Sequence, residues 1–409
     1  MTATAAGGRI VVVGGGLAGA RACEELRAAG HRGEILLVGA EDRPPYDRPP
    51  LSKEVLVGKA DDPSLGIDLA ALGVDVRLGV RATGLGTGQL ATTAGALSWD
   101  GLVLATGAEP LRLAGDGDQH VVRTVDDALR LRAALTPGAR VAVVGAGWIG
   151  AEVATAARRR KCVVTVVEAT AAPHARLLGD GPVGRTLGRR LLSWYAAAGV
   201  ELRLGALVAA VAPDGLLLAD GTSLAADVVV TGVGVRPATD WLARSGVRRD
   251  ARGAVLVDAL LRADGFERVV AVGDCAAWWS GRFRARMSAE HWDEAFHAPE
   301  TAARSLLAAL GRGEPPPPYD PVPYFWSEQL GHRVQWAGHR PADGGAVPVL
   351  RDDPSRGWSA CWLDAAGRLA AVLTVDRPRD LLQGRKLIAA GHRPDPQRLA
   401  DPAVALRDT

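Results

Sequence analysis

Cysteine is scarce in this chain of 409 residues, and what there is does not pair. Cys23, Cys162, Cys275 and Cys361 stand far apart, with no C-x-x-C or C-x4-C spacing. That excludes a disulfide framework and a zinc site built on such motifs; the four thiols read as small buried apolar groups, and no metal site is expected. Lysine is just as rare. Lys53, Lys59, Lys161 and Lys386 stand against a background of arginine, so a lysine inside a motif is informative. The formal net charge is only +2, which gives no electrostatic footprint for a nucleic-acid partner. No apolar run reaches the roughly 20 residues that cross a bilayer. Met1 to Gly8 show no charged-then-apolar signal pattern. A cytoplasmic protein with no membrane partner is expected.

What is abundant is glycine, 50 residues, in a chain that is 48% hydrophobic and long enough for two or three cored domains. Arg9 to Val13 reads as a buried strand, followed by a glycine turn, a helix from about Leu17 to Ala29 stopped by Gly30, and a strand from Glu34 to Val38. The same order returns at Arg140 to Val144, Gly145 to Gly150, a helix to about Arg159, and Val163 to Val167. Leu102 to Leu104 and Val269 to Val272 are further buried-strand candidates. Glu314 to Pro318 reads as a linker. Beyond it, strands at Trp358 to Leu363 and Leu369 to Val375 and a helix from about Asp380 to Ala390 predict a small α+β domain.

Each repeat carries G-x-G-x-x-G between a strand and a helix. In the first, Gly14 permits the tight turn, Gly16 lets the backbone approach a pyrophosphate, and Gly19 lets helix and strand pack closely. The helix start then offers free N–H groups and the positive dipole end to the anion. Glu41 or Asp42, with Glu41 preferred, would bond the ribose. In the second, Gly145, Gly147 and Gly150 take the same parts, with Ile149 inside the fingerprint. Glu168 closes the next strand, where a carboxylate can accept both ribose hydroxyls of NADH and would repel the 2′-phosphate of NADPH. A differential of about 2–3 kcal/mol corresponds to ~30–150-fold preference. Arg158, Arg159 and Arg160 read as a solvated helix end. Two such units in one chain point to two dinucleotides and a hydride moving between them.

The segments around these units narrow the family. PYDRPPLSK spans Pro45 to Lys53, Ala105-Thr106-Gly107 closes one strand, Val272-Gly273-Asp274 closes another, and FWSEQ spans Phe325 to Gln329. Together they closely resemble the FAD- and NADH-dependent ferredoxin reductases of bacterial P450 and Rieske dioxygenase systems, over nearly the whole chain. The resemblance implies a glutathione-reductase-like α/β fold: two Rossmann-type dinucleotide-binding domains plus the small α+β C-terminal domain. The FAD domain would be split over 1–113 and 236–314, the NADH domain would span 114–235, and the C-terminal domain 315–409. It further implies Arg48 as a fixed cation on FAD, Asp274 and the Ala105–Gly107 turn on the same cofactor, and Lys53 beside the flavin, paired with Glu152. Glu168, Arg176 and Gly234 would serve NADH, and Trp326 would lie near the reacting rings. The implied partner is a [2Fe–2S] ferredoxin, and through it a P450 or Rieske oxygenase; the chain would be a monomer or homodimer.

The chain departs from the family pattern between Arg286 and Pro299. A longer spacing separates Arg286 from Glu290-His291-Trp292, and Glu294-Ala295 and Ala298-Pro299 stand where Asn-Ala and Gln are usual. A remodelled helix near the flavin is expected, with Trp292 as its cofactor contact. The departure keeps open a flavoenzyme acting directly on oxygen, a quinone or a specialised metabolite; the architecture alone also leaves, from another class, a redox-responsive binding module. The missing cysteine pair argues against a disulfide reductase. Arg282, Arg284 and Arg286 form a basic run suited to an acidic ferredoxin.

Overall fold

The structure is a computed structural model that describes residues 7–179, 181–341, 347–353 and 355–409. The first six residues, read above for a signal pattern, lie outside the described residues. The chain divides into two compact units, each assembled from three segments: Met1–Asp47, Ser64–Glu109 and Arg236–Pro323 in one; Arg48–Pro63, Pro110–Val235 and Tyr324–Thr409 in the other.

The first unit is built on a five-stranded parallel sheet. Its order is Val269–Ala271, Gly101–Leu104, Arg9–Val13, Glu34–Val38 and Val74–Arg77. The runs IVVV and ILLV are buried on both faces, as a parallel sheet covered on both sides requires. Because every strand runs the same way, Val13, Val38, Leu104 and Ala271 end along one edge. The helix Leu17–Ala28 turns Ala18, Ala22, Cys23 and Leu26 inward and packs on the long helix Trp292–Ala309. It stops at Ala29, and Gly30 takes the positive φ of 92° that sequence reading assigned to the stop.

The second unit repeats the design with four parallel strands in the order Val200–Leu204, Val163–Glu168, Arg140–Val144 and Val228–Thr231. The helix Trp148–Arg159 follows the second glycine turn. The strand Val163–Glu168 runs one residue beyond the expected end and so includes Glu168. The C-terminal part is a five-stranded antiparallel sheet, ordered Tyr324–Gln329, His332–Gly338, Leu369–Val375, Gly357–Leu363 and Val349–Asp353, and packed against the helix Pro378–Ala389. Sequence reading found two of those strands.

A buried cation fastens this sheet to the chain that follows it. Arg351 is fully buried. Its guanidinium donates to the Leu399 carbonyl at 2.6 Å, the Val404 carbonyl at 2.6 Å and Asp380 at 3.2 Å. Arg377 and Ser359 also bind Asp380, at 2.9 and 2.7 Å. Removing the cation would leave a buried carboxylate and two carbonyls underbonded. Arg351→Ala is expected to lower unfolding stability by about 3–5 kcal/mol in urea denaturation. The exposed Arg356→Ala should stay within about 0.5 kcal/mol; equal effects of the two would refute the clamp.

Candidate cofactor and redox site

The first glycine turn leaves the strand Arg9–Val13 at the carboxyl edge of its sheet. Gly14 has φ of 126°, and a Cβ there would lie 2.0 Å from the Ala105 carbonyl oxygen. A Cβ at Gly19 would lie 1.9 Å from the Gly14 carbonyl oxygen, whereas one at Gly16 would meet nothing within 4 Å. The outer glycines close the turn and the middle one keeps it open. The following helix has neither a side-chain cap nor an acid in its first turn, so its amides face the opening uncontested. Thr106 and Asp274 close neighbouring strands at this edge. Thr106 Oγ1 is buried with no hydrogen-bond partner among the described residues. Gly107 and Gly273 both take φ of 70°, turning the chain sharply at the ends of their strands. An open glycine cradle, uncapped amides and an orphaned hydroxyl fit a dinucleotide phosphate. Glu41 accepts the Tyr46 hydroxyl, a member of PYDRPPLSK. The helix expected to be remodelled is continuous from Trp292 to Ala309 despite Pro299. Trp292 opens it, donating from Nε1 to Asp47 at 2.8 Å and stacking on Phe296 at 4.7 Å.

The second turn repeats the first. Gly145 has φ of 100°, a Cβ at Gly150 would lie 1.9 Å from the Gly145 carbonyl oxygen, and one at Gly147 would meet nothing within 4 Å. Ile149 is an exposed apolar residue in the first turn of the helix. Glu168 already works as a brace. It accepts from the Ala146 amide at 2.7 Å, the Thr170 amide at 2.9 Å and the Thr170 hydroxyl at 2.8 Å. Three of a carboxylate's roughly four acceptor positions are thus engaged, so two ribose hydroxyls could bind only by displacing one of these contacts. Arg176 Nη1 would stand 3.5 Å from a Cβ at Gly234, which brings those two candidates together. Arg158 and Arg160 differ from the solvated helix end that was expected. Arg158 donates to the Ala198 carbonyl at 2.9 Å and Arg160 to the Leu135 carbonyl at 2.8 Å, so both tie loops down.

Lys53 and Glu152 meet. Lys53 Nζ lies 2.9 Å from Glu152 Oε2 and donates to the Pro49 carbonyl at 3.2 Å, and Glu152 is 4% exposed. Two further donors were not foreseen. The Ser52 hydroxyl donates to Oε2, and the Ser327 hydroxyl to Oε1 at 2.6 Å. Both serines stand beside residues the motifs had singled out, Lys53 and Trp326. Strand alternation then sends Trp326 to the face opposite Ser327, where it stacks with Tyr324 at 5.7 Å. Arg48 donates to the Arg123 carbonyl. Arg286, in the basic run, donates to the Val257 and Ala277 carbonyls at 2.8 and 3.2 Å.

Residues 8–298 match the family described as pyridine nucleotide-disulphide oxidoreductase, and 324–409 the one described as reductase C-terminal. The chain belongs to the pyridine nucleotide-disulphide oxidoreductase family. A relative named as the ferredoxin–NAD(+) reductase component of the anthranilate 1,2-dioxygenase system of Burkholderia cepacia is 36% identical, with 97% of this chain and 98% of the relative covered. Among solved structures, Fdr9 superimposes with a TM-score of 0.91 at 50% identity, covering 97% of this chain and 99% of that one. The reductase in the covalent putidaredoxin reductase–putidaredoxin complex gives 0.88 at 30% identity, covering 98% of each.

The disulphide in the family's description has no counterpart in this oxidoreductase. Its four cysteines are free and buried. Burial pushes the Cys23 and Cys361 thiols up to about 12 and raises those of Cys162 and Cys275, which keeps all four from acting as thiolates. Beside the second turn, burial lowers His174 to about 4, while its Nε2 lies 3.0 Å from Gln329 Oε1. A histidine held neutral loses stability as the unfolded chain gains a proton. Unfolding stability is therefore expected to fall as pH drops from about 6.5 toward 4. Urea titrations should show this fall in the wild type and a shallower one in His174→Gln; parallel curves would rule out His174 as the source.

Proposed function

We propose that this oxidoreductase passes electrons from NADH, through FAD, to a [2Fe–2S] ferredoxin that serves a P450 or Rieske oxygenase. The observation that carries the reading is the pair of equivalent open glycine turns in one chain that has no thiol pair. Bound FAD supplies the chemistry: it accepts two electrons from NADH and releases them singly.

The protein's part is positioning and electrostatics. The Gly14–Gly19 turn and the amides after it would hold the FAD pyrophosphate, with Glu41 on the adenosine ribose and Arg48, Ala105, Thr106, Gly107, Asp274 and Trp292 around the rest. The Gly145–Gly150 turn would hold NADH, with Glu168, Arg176 and Gly234 at its adenosine end. Lys53 is a fixed positive charge for the redox step, and Glu152 keeps it oriented. The serine hydroxyls from Ser52 and Ser327 hold that carboxylate so that it cannot swing with the lysine. Trp326 offers a flat apolar surface. Among the described residues no helix is long and apolar enough to cross a membrane, which is compatible with a cytoplasmic location.

Stopped-flow mixing with NADH should bleach the flavin, and cytochrome c reduction should require added ferredoxin. Strong turnover on oxygen or a quinone alone would refute the ferredoxin reading. Glu168→Arg should lower kcat/KM for NADH and raise it for NADPH, reversing a preference on the order of 30–150-fold. An unchanged ratio would remove Glu168 from the binding site and leave it a brace of the turn.

A further inference from the structure

One buried acid of the first unit has no part in the proposed function. Glu294 is the third residue of the helix Trp292–Ala309 and is 5% exposed. Its Oε2 accepts the Tyr319 hydroxyl at 2.6 Å. Its Oε1 is enclosed and has no hydrogen-bond partner among the described residues. The groups facing it are the Tyr319 phenol, Asp293 from its own helix and Asp274 from the turn Gly273–Cys275; both charged ones are acids. Charged groups nearby are engaged elsewhere: Glu290 with Arg252, His297 with Asp293 at 3.6 Å, and Arg21 with Glu24 and Glu25. Burial, reinforced by the two carboxylates and opposed by the Tyr319 hydroxyl, lifts the Glu294 acid to about 8.

Small residues join this acid to the first glycine turn. A Cβ at Gly273 would lie 3.2 Å from Ala18 Cβ and 3.9 Å from Ala295 Cβ. The helix start bearing Glu294 therefore stands beside Asp274 and the first turn of the helix Leu17–Ala28, where a phosphate would meet free amides.

We propose that Glu294 is a proton-binding residue of the first dinucleotide site, taking a proton from solvent onto its free carboxyl oxygen when the anionic pyrophosphate of FAD binds at the Gly14–Gly19 turn. The inference rests on the FAD reading above. An anion added beside a buried acid that lacks a cation partner disfavours its ionised form. Linkage makes the effect reciprocal: FAD strengthens proton binding, and alkaline pH weakens FAD binding. The competing use of Oε1 is internal. The Trp278 indole N–H is also enclosed without a partner, and its ring packs edge-on against Tyr319 at 5.7 Å. A water bridging the two would donate to Oε1, favour the ionised acid and move the uptake to lower pH.

The test is calorimetric titration of FAD into the full chain freed of flavin, at pH 7, 8 and 9, in two buffers of different ionisation heat. Proton uptake is expected near pH 8. Between pH 7 and 9 the Kd for FAD should weaken by about fivefold, for one unit of further rise on binding. Glu294→Gln should abolish both effects and still bind FAD at pH 7. Matching uptake and matching Kd profiles in wild type and Glu294→Gln would overturn the proposal, whereas absence of FAD binding at every pH would overturn the FAD reading itself. Should Glu294→Gln not fold, Tyr319→Phe removes the hydroxyl that opposes the rise and should move the uptake to higher pH; an unmoved midpoint counts against Glu294.

Discussion

A backbone carbonyl pressed against a glycine sets the geometry on which both halves of this molecule depend. At Gly19 over Gly14, and again at Gly150 over Gly145, a Cβ would lie 1.9 Å from the carbonyl oxygen. A side chain at either place would push the helix off its strand. The amides at the helix start would then no longer point over the carboxyl edge of the sheet, and the open middle glycine would face nothing in particular. The parallel strands, the alanine-rich inner helix faces and the strand-end turns at Thr106 and Asp274 are arranged around this close approach.

The parts of the fold that were legible in the sequence are those in which one chemical pattern has one structural solution. Strand, glycine turn and helix at Arg9–Ala28 and Arg140–Arg159 are of that kind, because only glycine fits the first and last positions of each turn. The short antiparallel strands Ala82–Gly86, Gln89–Thr92 and Gly95–Ser98 were not legible. Each carries a single leucine, Leu85, Leu90 or Leu97, among glycine, alanine and polar residues, too few apolar positions to show an alternation. In the C-terminal sheet, the edge strand Val349–Asp353 carries Arg351 inward, which inverts the pattern by which a strand is normally recognised. The helix at Trp292 was expected to be remodelled, from the altered spacing before it and the altered residues at 294–299; it runs unbroken from Trp292 to Ala309 with Pro299 as its eighth residue.

The candidate site was legible through the resemblance, which implied that Lys53 pairs with Glu152, and the two meet at 2.9 Å. The hydroxyls that complete the arrangement were not foreseeable, since serine at positions 52 and 327 has no signature of its own. Together they make Glu152 a junction of three segments distant in sequence, Ser52–Lys53, the helix Trp148–Arg159 and the strand Tyr324–Gln329. A carboxylate with donors on both oxygens is directional, whereas a lone ion pair can rotate. Glu168 plays an equivalent part at the second turn, which makes its charge structural before any ligand arrives.

The burial of all four thiols has a practical side. With Cys23, Cys162, Cys275 and Cys361 enclosed and held in the thiol form, the natural chain is already a silent background for maleimide chemistry. A single cysteine introduced on an exposed loop would carry a spin label or fluorophore alone, and distances between labels could be measured without first deleting any native residue.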